Sequence, residues 1–158
     1  MTDDRSREGQ GGISFRDRRS TLDIGLRTLD FHMKVAITCY PTYGGSGAIA
    51  AELGIQLSQR GHEVHFVSYA PPFRLPSFQQ NLFFHQVGTM SYPLFEHAPY
   101  TITLAAKMAD VAVAEGIDLL HVHYAIPHAV SAFLAREAVG GRFKVLTTLH
   151  GTDITLVG

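Results

Sequence analysis

Three short segments of this chain combine residue types and spacings that can do chemistry. The first, Tyr40-Pro41-Thr42-Tyr43-Gly44-Gly45-Ser46-Gly47, is a loop by its proline and glycine content. Gly44, Gly45 and Gly47 put no side chain between backbone and ligand, and a helix starting behind them offers free N–H groups and positive dipole charge. Phosphate or carboxylate is the natural guest; a structural turn without ligand is the alternative. Gly45 to Ala50 also matches the dinucleotide pattern G-x-G-x-x-A. Two features weaken that match: the glycines come several residues after the apolar run before them, and Ser68-Tyr69-Ala70 offers no acid for a ribose. No Lys-Ser/Thr comes after Gly47, so the P-loop pattern fails.

The second segment is His121-Val122-His123-Tyr124. In a strand, alternation sets both imidazoles on one face, about 7 Å apart. A metal pair is conceivable, yet the segment has no Asp or Glu and the chain has no H-E-x-x-H helix. Packed, hydrogen-bonded histidines are the favoured reading. Tyr124, at the strand tip, can donate its hydroxyl to an anion. The third segment is His150-Gly151-Thr152-Asp153. A neutral His150 can hydrogen-bond a sugar hydroxyl or move a proton, and Gly151 permits close approach. Thr152 and Asp153 read equally as site residues and as helix-entry residues, with Asp153 capping the next helical turn. Arg74 can reach a carboxylate from its proline-rich connection, although solvated surface charge is the commoner fate. Cys39 reads as a small buried hydrophobe, since a nucleophile would need a paired base.

These segments need elements to position them. Val35 to Cys39, Val64 to Val67, Leu82 to Val87, Leu119 to His123 and Phe143 to Leu149 read as strands. Between them lie helical patterns. One runs to about Arg60 with Ile49, Leu53 and Leu57 inward and Gly61 as its stop. A second is capped by Thr101, carries Leu104, Ala105, Met108, Val111 and Ala112 inward, and closes at Gly116. A third opens at Pro127, with Val130, Phe133, Leu134 and Ala138 inward, and ends at Gly140-Gly141. Alternating strands and helices with nearly continuous apolar strands predict an α/β fold, a doubly wound parallel sheet covered on both faces. Right-handed crossovers favour the Rossmann-like order 3-2-1-4-5. That order brings the glycine loop, Tyr124 and His150 to the carboxyl ends of three adjacent strands, the usual place for a ligand.

The chain has 158 residues, enough for one domain with a tail, and a formal charge of −1, so no broad basic footprint recommends nucleic acid or an anionic membrane. No apolar run reaches the roughly 18 residues of a membrane span. A single cysteine excludes an intrachain disulfide framework, and a reducing, cytoplasmic setting is the default. Residues 1–32 hold six Lys/Arg and six Asp/Glu and no apolar h-region, so they read as a disordered extension, with Met33 as the natural start.

Met33 to Gly47, Pro72-Phe73-Arg74-Leu75, His121 to Ala129 and Thr147 to Thr155 resemble, in order and spacing, the amino-terminal domain of family-four GT-B glycosyltransferases over residues 33–158. Within that family the likeness is to enzymes of bacillithiol synthesis that transfer N-acetylglucosamine from UDP-N-acetylglucosamine to the hydroxyl of L-malate. The resemblance implies a retaining transferase with no required metal or other cofactor. It implies that Gly44, Gly45 and Ser46 line the donor-phosphate and acceptor region. Tyr124 and Arg74 would hold the malate carboxylates, and His150 would contact the transferred sugar as the catalytic candidate. Thr152 and Asp153 are secondary candidates. Such enzymes carry a second Rossmann-like domain for the nucleotide sugar, so residues 33–158 are expected to be an incomplete acceptor-side domain, inactive alone. Two other readings compete. One is an NAD-binding domain of an oxidoreductase, resting on the G-x-G-x-x-A match. The other is a noncatalytic partner module that pairs or oligomerises through an exposed edge.

Overall fold

The structure is a computed structural model and describes residues 31–88 and 99–157. The expected extension at 1–32 lies, apart from Phe31 and His32, outside the described residues. Five parallel strands form one sheet: β1 (Lys34–Thr38), β2 (Glu63–Ser68), β3 (Leu82–Gln86), β4 (Leu119–His123) and β5 (Lys144–Thr148). Their order is β3-β2-β1-β4-β5, as the alternation of elements predicts. Helices α1 (Gly45–Gln59), α2 (Tyr100–Glu115), α3 (Val130–Ala138) and α4 (Gly151–Val157) join or extend them. No helix among the described residues is long and apolar enough to cross a membrane.

Register assigns the two faces. Val35 pairs with Val64 and Ile37 with Phe66, and with Cys39 and Ala50 these residues form the core beneath α1. The intervening Ala36, with Val67, Leu120 and Val122, faces Leu104, Met108 and Val111 of α2 and Ala132 and Ala135 of α3. A strand buried on both sides needs apolar residues at successive positions, which β1 supplies with Val35, Ala36 and Ile37, while β2 and β4 also bury His65, His121 and His123.

Which helix faces turn inward departs from the sequence expectation in two places. In α1 the buried residues are Ser46, Gly47, Ala50, Ala51, Gly54 and Ser58, while Ile49 is exposed and Leu53 and Leu57 only half-buried. The reason is close approach. A Cβ at Gly54 would lie 2.5 Å from Cζ and 2.6 Å from Cε2 of Phe66, so the strand supplies bulk and the helix supplies room. In α3, Val130, Phe133, Leu134 and Ala138 are exposed and Ser131, Ala132 and Ala135 are buried. Ser131 donates its hydroxyl to the carbonyl of Thr101 at 3.0 Å, fixing the small-residue side of α3 against α2.

One cap and one strand face also differ from expectation. Thr101 does not cap α2; Pro99 precedes the helix, and its carbonyl accepts from the Ile102 and Thr103 amides, which places Thr101 inside the first turn. Pro127 opens the helical run that continues as α3, as expected: Ile126 before it is extended, and from Pro127 the backbone is helical into Val130. Edge strand β5 is not covered on both faces: Val145 and Leu146 are exposed. The expected stop at Gly116 is present, in the left-handed conformation that glycine tolerates.

Candidate functional site

The sheet order places β1, β4 and β5 side by side, and the residues leaving their carboxyl ends meet. Tyr40 comes after β1, Tyr124 after β4 and His150 after β5. The Tyr124 ring lies 4.7 Å from the His150 ring and meets Tyr40 edge-on at 5.3 Å. The Tyr124 amide donates to the Thr148 carbonyl at 3.0 Å, tying the two tips. Tyr124 itself has φ 82° and ψ 141°, a conformation that L-residues avoid. The chain reverses there instead of prolonging β4, and the phenol is carried onto His150.

Behind these tips the histidines form a ladder on the face that β4 shares with Ile37. His121 stacks on His123 with ring centres 4.8 Å apart, and His123 stacks on His150 at 5.3 Å. The rings stand closer than backbone spacing suggests because they tilt into parallel contact. His121 Nε2 shares a hydrogen bond with Thr148 Oγ1 at 2.8 Å, and His123 Nδ1 shares one with His150 Nε2 at 3.1 Å. His128, in the turn before α3, donates from Nδ1 to the His123 carbonyl and packs on Tyr40. Burial pushes His121 and His128 below the ordinary imidazole value, and burial with three neighbouring imidazoles takes His123 down to about 4. The interior rungs are therefore neutral at pH 7. His123 engages His150 at its Nε2.

Asp153 locks the arrangement. Its Oδ2 accepts from the His150 amide at 2.9 Å and its Oδ1 from the Ala125 amide at 3.1 Å. One carboxylate thus joins the segment after β4 to the segment after β5, in the manner of a helix-entry cap. With both oxygens engaged by backbone, Asp153 is a positioning residue here. Thr152 is exposed.

The glycine loop runs from Tyr40 to the start of α1. Gly47 is buried, and a Cβ there would lie 2.6 Å from the Tyr40 carbonyl and 2.9 Å from that of Thr42, so the loop can fold over the helix only with glycine at this position. Gly44 and Gly45 are exposed, and nothing lies within 4 Å of where a Cβ at Gly45 would be. No side chain caps α1, and the exposed Gly44 and Gly45 leave its amino end uncovered. Ser46, the next residue, is buried. Six residues separate Thr38 from Gly45, and Ser68, at the end of β2, donates to the Cys39 carbonyl. Neither is the tight turn or the ribose-binding acid of a dinucleotide fold.

Arg74 makes its contacts with α1 and the glycine-loop side. It is exposed, has φ 74°, lies 3.7 Å from Glu52 of α1 and sits over Phe73, whose ring touches Tyr43 of the glycine loop at 4.4 Å. It belongs to the rim of the loop. Cys39 is fully buried, and burial pushes its thiol up to about 12.

Two participants escaped the sequence reading: Tyr40 and His128. Tyr40 could have been found by the signal that singled out Tyr124, an aromatic at a strand tip beside the switch point. His128 had no local signal, because only the reversal at Tyr124 turns it inward.

Comparison with known proteins agrees with this architecture. The sequence profile of Glycosyltransferase Family 4 matches residues 43–157. Over 126 residues the chain is 54% identical to N-acetyl-alpha-D-glucosaminyl L-malate synthase of Bacillus anthracis, covering 80% of this chain and 33% of that protein. The chain thus spans about a third of that relative's length. A crystal structure of a glycosyltransferase from Rickettsia africae aligns with TM-score 0.54 at 18% identity, covering 74% of this chain and 29% of the other, a likeness of fold.

Proposed function

The chain belongs to glycosyltransferase family 4, and from that premise we propose that it forms the acceptor-side domain of a retaining transferase that moves N-acetylglucosamine from UDP-N-acetylglucosamine to the hydroxyl of L-malate. The observation that carries the proposal is the convergence of Tyr124 and His150 at the sheet's switch point, on the edge where the uncapped amino end of α1 opens. The identity to the malate synthase supports this choice of substrates.

In this reading each group has a task its chemistry allows. A departing nucleoside diphosphate gathers negative charge, which the amides around Gly44, Gly45 and Ser46 stabilise without reorganising. The Tyr124 hydroxyl donates to one malate carboxylate. Arg74 takes the other, exchanging its exposed, weak pairing with Glu52 for a two-pronged contact. His150 hydrogen-bonds the transferred sugar, its ring held by His123 and its backbone by Asp153. Neutral rungs behind it keep a positive charge from building up where the sugar, itself cationic in the transition state, must sit. A nucleotide-sugar donor sets the reaction in the cytoplasm. Turnover needs groups that surround the donor from the opposite side, so the 158 residues alone bind without turning over.

Calorimetric titration of L-malate, UDP-N-acetylglucosamine and NAD into the chain tests this. Malate binding that weakens in Tyr124→Phe and Arg74→Ala is the expected result, with no heat from NAD. Indifference to malate, or steady-state turnover of both substrates by the 158 residues, refutes it.

A further inference from the structure

A second histidine group lies on the other face of the sheet. His65 on β2 pairs in register with Ala36 and Phe83, which sets it on the α2 side, where it is 1% exposed. His85 stands two residues further along β3, and Glu115 is the last residue of α2. One donor atom from each of His65, His85 and Glu115 lies within 4.8 Å of the other two. The group lies on β2, β3 and the end of α2, not on the tips of β1, β4 and β5 that carry Tyr40, Tyr124 and His150.

The distances suit a metal ion. His65 Nδ1 and His85 Nε2 are 2.9 Å apart. Two nitrogens each about 2.0–2.1 Å from one Zn2+ stand roughly 2.9–3.4 Å apart for angles between about 90° and 109°. The other nitrogen of His65, Nε2, is 2.9 Å from Glu63 Oε1, and Glu63 is in turn held by Lys34 at 2.9 Å. A carboxylate on the far nitrogen of a histidine fixes the tautomer and raises the basicity of the near one, the usual support for a metal-binding imidazole. Phe83 stacks on His65 at 5.0 Å and fixes the ring plane. His85 and Glu115 are half-buried, so water has access to complete the coordination.

We propose that His65 Nδ1, His85 Nε2 and the Glu115 carboxylate bind a divalent transition metal of the zinc type, with Glu63 orienting His65, and that the ion clips β2, β3 and α2 together. Two imidazoles and one carboxylate match the preferences of Zn2+ and its neighbours over those of Mg2+ or Ca2+. The ion takes no part in sugar transfer; its place is structural.

Titration of ZnCl2 into the full chain, measured by calorimetry, tests the site, with His85→Gln and Glu115→Gln as variants because neither side chain is in the closed core. One tight equivalent is expected, weakened at least tenfold in both variants and about 10- to 100-fold in Glu63→Gln. Zinc in excess should raise the melting temperature of the parent chain and leave that of His85→Gln unchanged. A Co2+ complex of the parent should show visible d–d bands that His85→Gln loses. Failure to bind zinc, equal affinity in the parent and His85→Gln, or loss of binding in His150→Ala instead overturns the proposal.

Discussion

Acidification should unfold this protein from its histidine ladder outward. His123 is 1% exposed and stacked between two other imidazoles, which takes its pKa down to about 4, whereas in the unfolded chain it returns to about 6.5. Between those values the unfolded state binds more protons than the folded one, so stability rises with pH and is lost as pH falls from about 6.5 toward about 4. The gap is worth about 3 kcal/mol for His123 alone, of which about 2 kcal/mol is gone by pH 4.5. His121 and His128, also lowered by burial, add losses of the same sign. Against a total of about 5–15 kcal/mol for a domain, that is a large share. Urea unfolding at pH 7, 6, 5 and 4.5 measures it, and the midpoint should fall steadily with an unchanged slope. An NMR titration adds a site-specific check: the His123 ring should show no midpoint above about 5. Equal stability from pH 7 to 4.5, or a His123 midpoint near 6.5, would refute the reasoning.

Other consequences are as direct. Gly54→Ala should gain about 1 kcal/mol of helix propensity and lose more to the buried Phe66 ring and to Ile37 Cδ1, 3.3 Å away. A net loss of about 1–2 kcal/mol in urea is expected, shrinking in a Phe66→Leu background. Asp153→Ala removes two charge-assisted hydrogen bonds, so stability should fall by about 1–3 kcal/mol, with faster hydrogen exchange at the His150 and Ala125 amides. Unchanged protection at both would contradict the bridging role. Cys39, buried with its thiol pushed up to about 12, should resist a thiol reagent at pH 8 until denaturant is added.

Strand order was legible because β-branched runs separated by helical stretches admit few connections, and that order alone brought Tyr124 and His150 together. Helix faces were not legible. Pattern reading turns the largest apolar residues inward, and in α1 and α3 these are Ile49, Phe133 and Leu134, all exposed. The sheet already supplies the bulk through Phe66 and Ile37, so the helices approach on alanine, serine and glycine, which carry little hydrophobic signal. Asp153 reads equally as a site residue and as a helix-entry residue; the structure gives it the second role, and its further bond, to Ala125, depends on a neighbouring strand and leaves no local trace. The pairing of His65 with His85 was hidden for the same reason, since only the register of β2 with β3 sets the two rings side by side.

Tyr124 holds a backbone geometry that glycine would adopt freely and that an L-residue occupies at about 1–3 kcal/mol. The fold carries this penalty where the tyrosine ring packs against Tyr40 and His150. Tyr124→Gly should therefore relax the bend while erasing the aromatic wall beside His150. A protein improved for robustness alone would be drawn to that exchange, so durability and the ring contact with His150 pull this residue in opposite directions.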